Sequence, residues 1–163
     1  MLIRWMIFLH VLGAISFFMG HGASAAMIFR LRHETELERI RAVLDLSAST
    51  MVFMLIAFLV MGLTGLIMPF MLGLWGEVWI WTSIVLILYV AIYMSIFNRR
   101  TYNIVRKMAG QPYMEGNKPA EPLDPSPVEE IVAFVREIKL GGVVFIGYAI
   151  PAFVLWMMVF KPF

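Results

Sequence analysis

The feature that most restricts how this chain can fold is its first uncharged stretch, residues 5–29. These 25 residues contain no Lys, Arg, Asp or Glu, and a helix needs about 20 apolar residues to cross a bilayer. A cleaved signal peptide is the alternative, because Ala23-Ser24-Ala25 resembles a cleavage site. The stretch is longer than the roughly 7–15 residues of a signal-peptide core, and Arg30 and Arg32 follow it as a stop-transfer signal. We therefore predict a membrane-spanning helix.

Three further apolar stretches have comparable lengths and cover residues 47–72, 78–97 and 141–160. The hydrophobic share of the sequence is 61%, above the roughly 45–50% of soluble globular proteins. A single soluble core of this size cannot bury that much apolar surface. The sequence predicts an all-α, membrane-embedded four-helix bundle that forms one transmembrane domain over residues 1–163. Pro151 lies within the fourth stretch, where it should kink the helix.

The distribution of cations predicts the orientation of this bundle. Eleven of the 13 Lys and Arg residues lie between the first and second stretches or between the third and fourth, and only Arg4 and Lys161 lie on the other side. The positive-inside rule assigns such basic segments to the cytoplasm. Both termini are therefore predicted to be non-cytoplasmic. The tryptophans should form an interfacial belt at that outer edge; they are Trp5, Trp75, Trp79, Trp81 and Trp156.

The basic segments contain no pattern typical of a catalytic domain. Residues 98–126 are rich in proline and are predicted to form a cytoplasmic linker that is flexible over much of its length. An amphipathic helix is predicted over residues 127–139, opened by a capping box at Ser126 and lying along the inner membrane surface. The sequence has no cysteine, which excludes disulfides and thiolate sites. It has no phosphate-binding loop, nucleophile elbow or nucleic-acid module, so we expect no nucleic-acid partner.

The most unusual feature of the apolar stretches is a pair of histidines, His10 and His21. Eleven residues advance an α-helix by about 16 Å and leave about 20° after three turns, so the two imidazoles share one face. Gly13 lies between them on that face and would let a flat macrocycle, or another backbone, approach closely. A neutral imidazole is a common ligand for transition metals and for haem iron. The pattern predicts cofactor binding at His10, His21 and Gly13, with haem b as the cofactor.

Packing is the alternative interpretation of both histidines, because one hydrogen bond to a neighbouring helix satisfies a neutral imidazole. Two haems with two histidine ligands each would need four imidazoles, and the apolar stretches contain two. The other ligands would come from methionine, water, another subunit or a second copy of the chain. A single haem or metal ion at one histidine is equally permitted.

Methionines recur every seven residues in the second stretch, at Met54, Met61 and Met68. A thioether can ligate haem iron or Cu(I). This makes Met54 and Met61, with the two histidines, candidate metal ligands and makes copper an alternative cofactor. The same spacing is typical of a left-handed helix pair, so both interpretations stay open.

The first stretch contains Trp5-Met-Ile-Phe-Leu-His10 and Ala14, and ends at Arg30-Leu-Arg32. This resembles the W-x-x-x-L-H-x-x-x-A opening helix of an uncharacterised family of small bacterial four-helix membrane proteins. It is also similar to the membrane domain of copper-resistance D proteins and to the small membrane-type protoporphyrinogen oxidase. The oxidase has a Pro-Arg-Leu signature at the end of this helix, whereas residues 26–33 here contain no proline.

The resemblance implies a multi-pass protein of the bacterial inner (cytoplasmic) membrane, with His10 as its haem or metal ligand. Together with the histidine pair, it leads us to expect a non-catalytic membrane subunit that serves in electron transfer or as an accessory to a membrane redox complex. Its expected partners are the lipid bilayer and other membrane subunits or a second copy. The alternatives are a structural or assembly subunit without a cofactor, and a copper-handling permease.

Overall fold

The computed structural model describes residues 1–162, and helices make up most of it. The elements in chain order are α1 (Leu2–Leu31), α2 (Leu37–Leu72), α3 (Val78–Arg100), α4 (Tyr102–Met108), β1 (Tyr113–Glu115), β2 (Lys118–Ala120), α5 (Val128–Glu137) and α6 (Leu140–Phe160). The two short strands pair antiparallel as a hairpin.

Four helical runs within residues 1–162 are long and apolar enough to cross a membrane: α1, α2, α3 continued by α4, and α6. Most of their large apolar side chains are exposed rather than packed against protein, as Phe8, Leu55 and Leu88 illustrate. Lipid can cover such surfaces, whereas their exposure to water would cost a large amount of free energy. The prediction of a multi-pass, all-α membrane architecture is confirmed at this level.

Helices α1 and α2 pack closely along a stripe of glycine and methionine. A methyl group at Gly13 would lie 2.9 Å from the amide nitrogen of Met61, and one at Gly20 would lie 3.2 Å from Cβ of Met54. The two glycines and the two methionines are each seven residues apart, so the antiparallel helices meet at corresponding points. Small residues allow this approach of backbones in a membrane. Helix α3 packs mainly against the second half of α6.

Helix α6 contains a π-helical turn, Phe145–Ala149, directly before Ile150 and Pro151. In a regular α-helix the carbonyl of Gly147 would accept a hydrogen bond from residue 151, and proline has no N–H to donate. A π turn accommodates such a break by widening the helix locally. The break in regular helix geometry that was predicted at Pro151 is this π turn.

The largest cluster of buried apolar side chains lies at one end of the molecule, which we call the basic end. It comprises residues 28–44 and 99–140 and holds most of the cations. Its core contains Ile28, Leu31, Ile40, Leu44, Tyr102, Val105, Ala109, Ile131, Val135 and Leu140.

Helix α5 covers this core, and two predictions about it are wrong. Ile131 is fully buried and Val135 almost so, so the apolar face of α5 packs on protein rather than along a membrane surface. The helix begins at Val128, and its N-cap residue is Pro127 without a side-chain hydrogen bond, so there is no capping box at Ser126. The local pattern showed an amphipathic helix but could not distinguish lipid from protein as its cover.

The linker predicted over residues 98–126 is more ordered than expected, because it contains α4 and the hairpin. The Asn103 side chain donates to the carbonyl of Met114 at 2.8 Å and accepts from its amide at 2.6 Å. Arg106 donates to the carbonyl of Pro112 at 3.0 Å. Gly116 has a φ of 63° at the first central position of the hairpin turn, a conformation that favours glycine.

Candidate functional site

The imidazole of His10 is fixed between α1 and α2. Its Nδ1 atom lies 2.8 Å from the carbonyl oxygen of Met61. Because a carbonyl can only accept, Nδ1 carries the proton, and the lone pair of the neutral ring is on Nε2. The ring edge lies against Gly65, where a methyl group would be 2.9 Å from Cε1. Within the described chain, the hydrogen bonds of this ring involve Nδ1 alone, which leaves Nε2 available to a ligand.

Thr64 supports this arrangement from α2. Its hydroxyl donates to the carbonyls of Val60 and Met61, at 2.6 and 3.1 Å, and its oxygen lies 3.4 Å from Nδ1 of His10. The carbonyl of Met61 therefore accepts hydrogen bonds from both Thr64 and His10. Thr64 and Gly65 were not predicted as part of the site, although a threonine beside a glycine inside an apolar stretch is a signal of close helix packing.

The imidazole of His21 has different surroundings. The side chain is 7% exposed, and Nε2 has no hydrogen-bond partner among residues 1–162. The ring stacks on Phe17 with an interplanar angle of 9° and contacts Tyr148, with ring centroids 5.3 Å apart. A methyl group at Gly147 would lie 2.6 Å from Nε2. The side of the ring that would bind a metal is therefore closed by the π turn of α6.

The two histidines share a face of α1 by rotation but contact different helices, His10 on α2 and His21 on α6. Gly13, between them, lies against the backbone of Met61. Gly13 was expected to permit the close approach of either a flat macrocycle or another backbone. In the structure, it is the backbone of α2 that approaches. A planar cofactor has no room at Gly13 or at Nε2 of His21 in this arrangement, so the residues that fit a haem reduce to His10.

Met54 and Met61 lie in the interface of α1 with α2, where their Cβ atoms face Gly20 and Gly13. This is the packing that the seven-residue spacing allowed as an alternative to metal ligation. Across the part of the chain that the structure describes, no three His, Asp or Glu side chains come together as a metal-binding group. A metal centre at this site would take one protein ligand from His10 and the others from elsewhere.

Two polar contacts at the basic end join segments that are distant in sequence. Asp45 on α2 pairs with Arg106 on α4 at 3.2 Å, and Arg41 donates to the carbonyl of Ala109 at 2.8 Å. Glu34 is buried and pairs with Arg30 at 2.5 Å. Arg30 satisfies the buried charge of Glu34 locally, and the two contacts between distant segments fix the ends of the helices relative to one another.

No protein-family model, curated protein or solved structure matches this chain. The likeness to small bacterial four-helix membrane proteins therefore stays a prediction from the sequence, based on the residues of the first helix together with the helix count and the basic loops.

Proposed function

We propose that the protein is an integral membrane subunit that holds a b-type haem, or another metal centre, through Nε2 of His10. The hydrogen bond from Nδ1 of His10 to the Met61 carbonyl supports this proposal most directly. Histidines that ligate metals usually donate their second ring N–H to a carbonyl or carboxylate, which fixes the tautomer and makes the ligating nitrogen more basic. His10 makes this bond.

The chain's own residues would orient the ligand and exclude water. Thr64 and Gly65 hold the imidazole edge-on against α2, so the lone pair of Nε2 has a fixed direction. Bound haem would supply one-electron transfer, and copper bound to the same nitrogen is the alternative. Since the Nε2 side of His21 is closed, a second protein ligand would come from another membrane subunit or a second copy of the chain.

We also propose that the basic end faces the cytoplasm of a bacterium and that the protein resides in the inner membrane. Eleven of 13 cations belong to the two segments at that end, and cytoplasmic loops of inner-membrane proteins carry such an excess. The exposed apolar side chains of the four long helices support contact with lipid.

Absorbance of the purified protein tests the cofactor. The full chain, expressed with a haem precursor and purified in detergent, should show a Soret band and stoichiometric iron. His10→Ala should lose both, whereas His33→Ala, which changes an exposed histidine, should retain them. A wild-type protein without a Soret band and without stoichiometric iron or copper would overturn the proposal.

A structural or assembly subunit without a cofactor is the second candidate, and the enclosure of His21 favours it. The ring fills space between α1 and α6 against Phe17, Gly147 and Tyr148, as a packing residue would. In that case His10→Ala and His21→Ala would leave the spectrum and metal content unchanged. Both variants would instead reduce co-purification with partner subunits from the native membrane.

A further inference from the structure

A cavity of about 220 Å³ lies at the basic end, between the start of α2 and the face made by α3, α4 and the hairpin. Ser47 lines it from α2, Asn98 from α3, Tyr102 and Arg106 from α4, and Tyr113 from β1. Ser47 begins the second apolar stretch and Asn98 follows the third. The cavity is therefore at the depth where the apolar part of the bundle gives way to polar segments.

The lining is divided by polarity. Leu44, Ala48 and Met51 of α2 form an apolar side, whereas the side formed by α3, α4 and β1 includes amide, phenol and guanidinium groups. A ligand that has a charged group attached to apolar chains matches both sides. A site of this size can hold a headgroup, since one water molecule occupies only about 30 Å³ of liquid.

Arg106 is positioned to bind an anion in this cavity. Its guanidinium donates to the carbonyls of Pro112 and Leu44 and to the carboxylate of Asp45. These contacts use three of the five N–H donors of an arginine, and they fix the plane of the group. The two remaining donors can bind a phosphate oxygen with little further loss of conformational entropy.

Asn98 supplies a second polar group to the lining, from the end of α3. Its side-chain amide is a hydrogen-bond donor for a phosphate oxygen.

The charge around the cavity favours an anion. Residues 98–120 carry five Lys and Arg residues and a single carboxylate, Glu115. Asp45, which pairs with Arg106, is the other acidic group at this place. Lys107 lies over the ring of Tyr113, with its Nζ 5.1 Å from the ring centroid. The hairpin is held to α4 by Asn103, so the wall that carries these charges is preformed.

We propose that this cavity binds the phosphate of an anionic phospholipid from the membrane leaflet at the basic end. Arg106 and Asn98 donate to the phosphate oxygens, and the apolar side at Met51 contacts the start of the acyl chains. Free phosphate shares the charged chemistry but not the apolar half of the lining, which is why we assign the lipid. Basic pockets between membrane helices are known binding sites for anionic headgroups.

The test measures the melting temperature of the full-length protein in detergent micelles with increasing phosphatidylglycerol, phosphatidylcholine or inorganic phosphate. We expect phosphatidylglycerol to raise the melting temperature and phosphatidylcholine to have no such effect. Arg106→Gln should raise the half-maximal phosphatidylglycerol fraction about tenfold, the usual effect of losing a charged hydrogen bond. The matched control Arg100→Gln, an exposed arginine outside the lining, should change it by less than about twofold.

Equal responses to the two lipids, or equal behaviour of the two arginine variants, would overturn the proposal. A shift produced by inorganic phosphate alone would reject the lipid and assign a soluble anion to the cavity. If Arg106→Gln does not fold, Ala48→Phe decides, because it fills the apolar side without removing a charge. Loss of the phosphatidylglycerol response in that variant supports the site, and an unchanged response rejects it.

Discussion

The ring nitrogen Nδ1 of His10 and the carbonyl oxygen of Met61 are 2.8 Å apart and belong to different helices. The bond joins the first two long helices in the middle of their apolar surfaces, where a hydrogen bond has no competition from water. It also assigns the proton of the neutral imidazole to one nitrogen and the lone pair to the other.

Gly65→Ala should disrupt this bond. The added methyl group would lie 2.9 Å from Cε1 of His10, and the ring cannot retreat without leaving the Met61 carbonyl. We expect a loss of about 1–3 kcal/mol in the free energy of unfolding, as for other overpacked sites. Gly62→Ala is the control, since nothing lies within 4 Å of its new methyl group, and it should be neutral or stabilise by about 1 kcal/mol. Thermal unfolding in detergent distinguishes the two, and equal effects would contradict the packing described for His10.

Leucine substitutions at the two histidines should have opposite effects on stability. His21→Leu removes a buried nitrogen that has no partner, so the protein should keep its stability or gain about 1 kcal/mol. His10→Leu removes the bond to Met61 and should lose about 1 kcal/mol. The measurement is the midpoint of unfolding in mixed micelles. A loss above about 2 kcal/mol for His21→Leu would indicate that this ring forms a strong polar contact.

The core at the basic end should tolerate truncation poorly. Ile131 of α5 is 0% exposed, whereas Ile104 of α4 is 38% exposed. Ile131→Ala should cost about 2–5 kcal/mol because it leaves a cavity, and Ile104→Ala should cost much less. Limited proteolysis within residues 121–127 should accelerate in the first variant, because α5 would detach more often. Similar stability of the two variants would mean that α5 does not cover the core in solution.

The orientation of the bundle can be measured directly because the chain has no native cysteine. Gly76→Cys lies in the short connection between α2 and α3, and Glu121→Cys lies in the exposed segment after the hairpin. A membrane-impermeant thiol reagent added to cells with a permeabilised outer membrane should label the first position only. Labelling at position 121 should require lysis. The reverse pattern would place the basic end outside the cytoplasm.

Length and apolar character were enough to predict the four long helices, because a span in lipid satisfies its own backbone. The basic end was harder to predict, since its order comes from contacts between distant residues. The position of the hairpin depends on the hydrogen bond between Asn103 and Met114. The position of α5 depends on core residues from α1, α2 and α4, against which it packs. A local pattern cannot show such partners.

The candidate site was predicted in part for a related reason. Helical rotation predicts that His10 and His21 share one face of α1, but rotation does not specify which helix each ring meets. The crossing of α1 with α2 places His10 on α2 and leaves His21 to the π turn of α6. The proline that prompts this turn was visible in the sequence, and its consequence for a ring on another helix was not.

The seven-residue repeat along α1 and α2 leaves an ambiguity of register. Gly13 and Gly20 face Met61 and Met54, yet sliding α1 by two turns would bring them to Met68 and Met61 with almost the same shape. Small-residue packing alone therefore does not define how far the two helices overlap.

His10 resolves this ambiguity. In the shifted register its ring would face Leu72 instead of Gly65, and the branched side chain would occupy the space that the imidazole now fills. A single polar residue in an apolar interface can select one alignment at some cost in stability. His10 therefore fixes the register of α1 against α2, independently of any ligand.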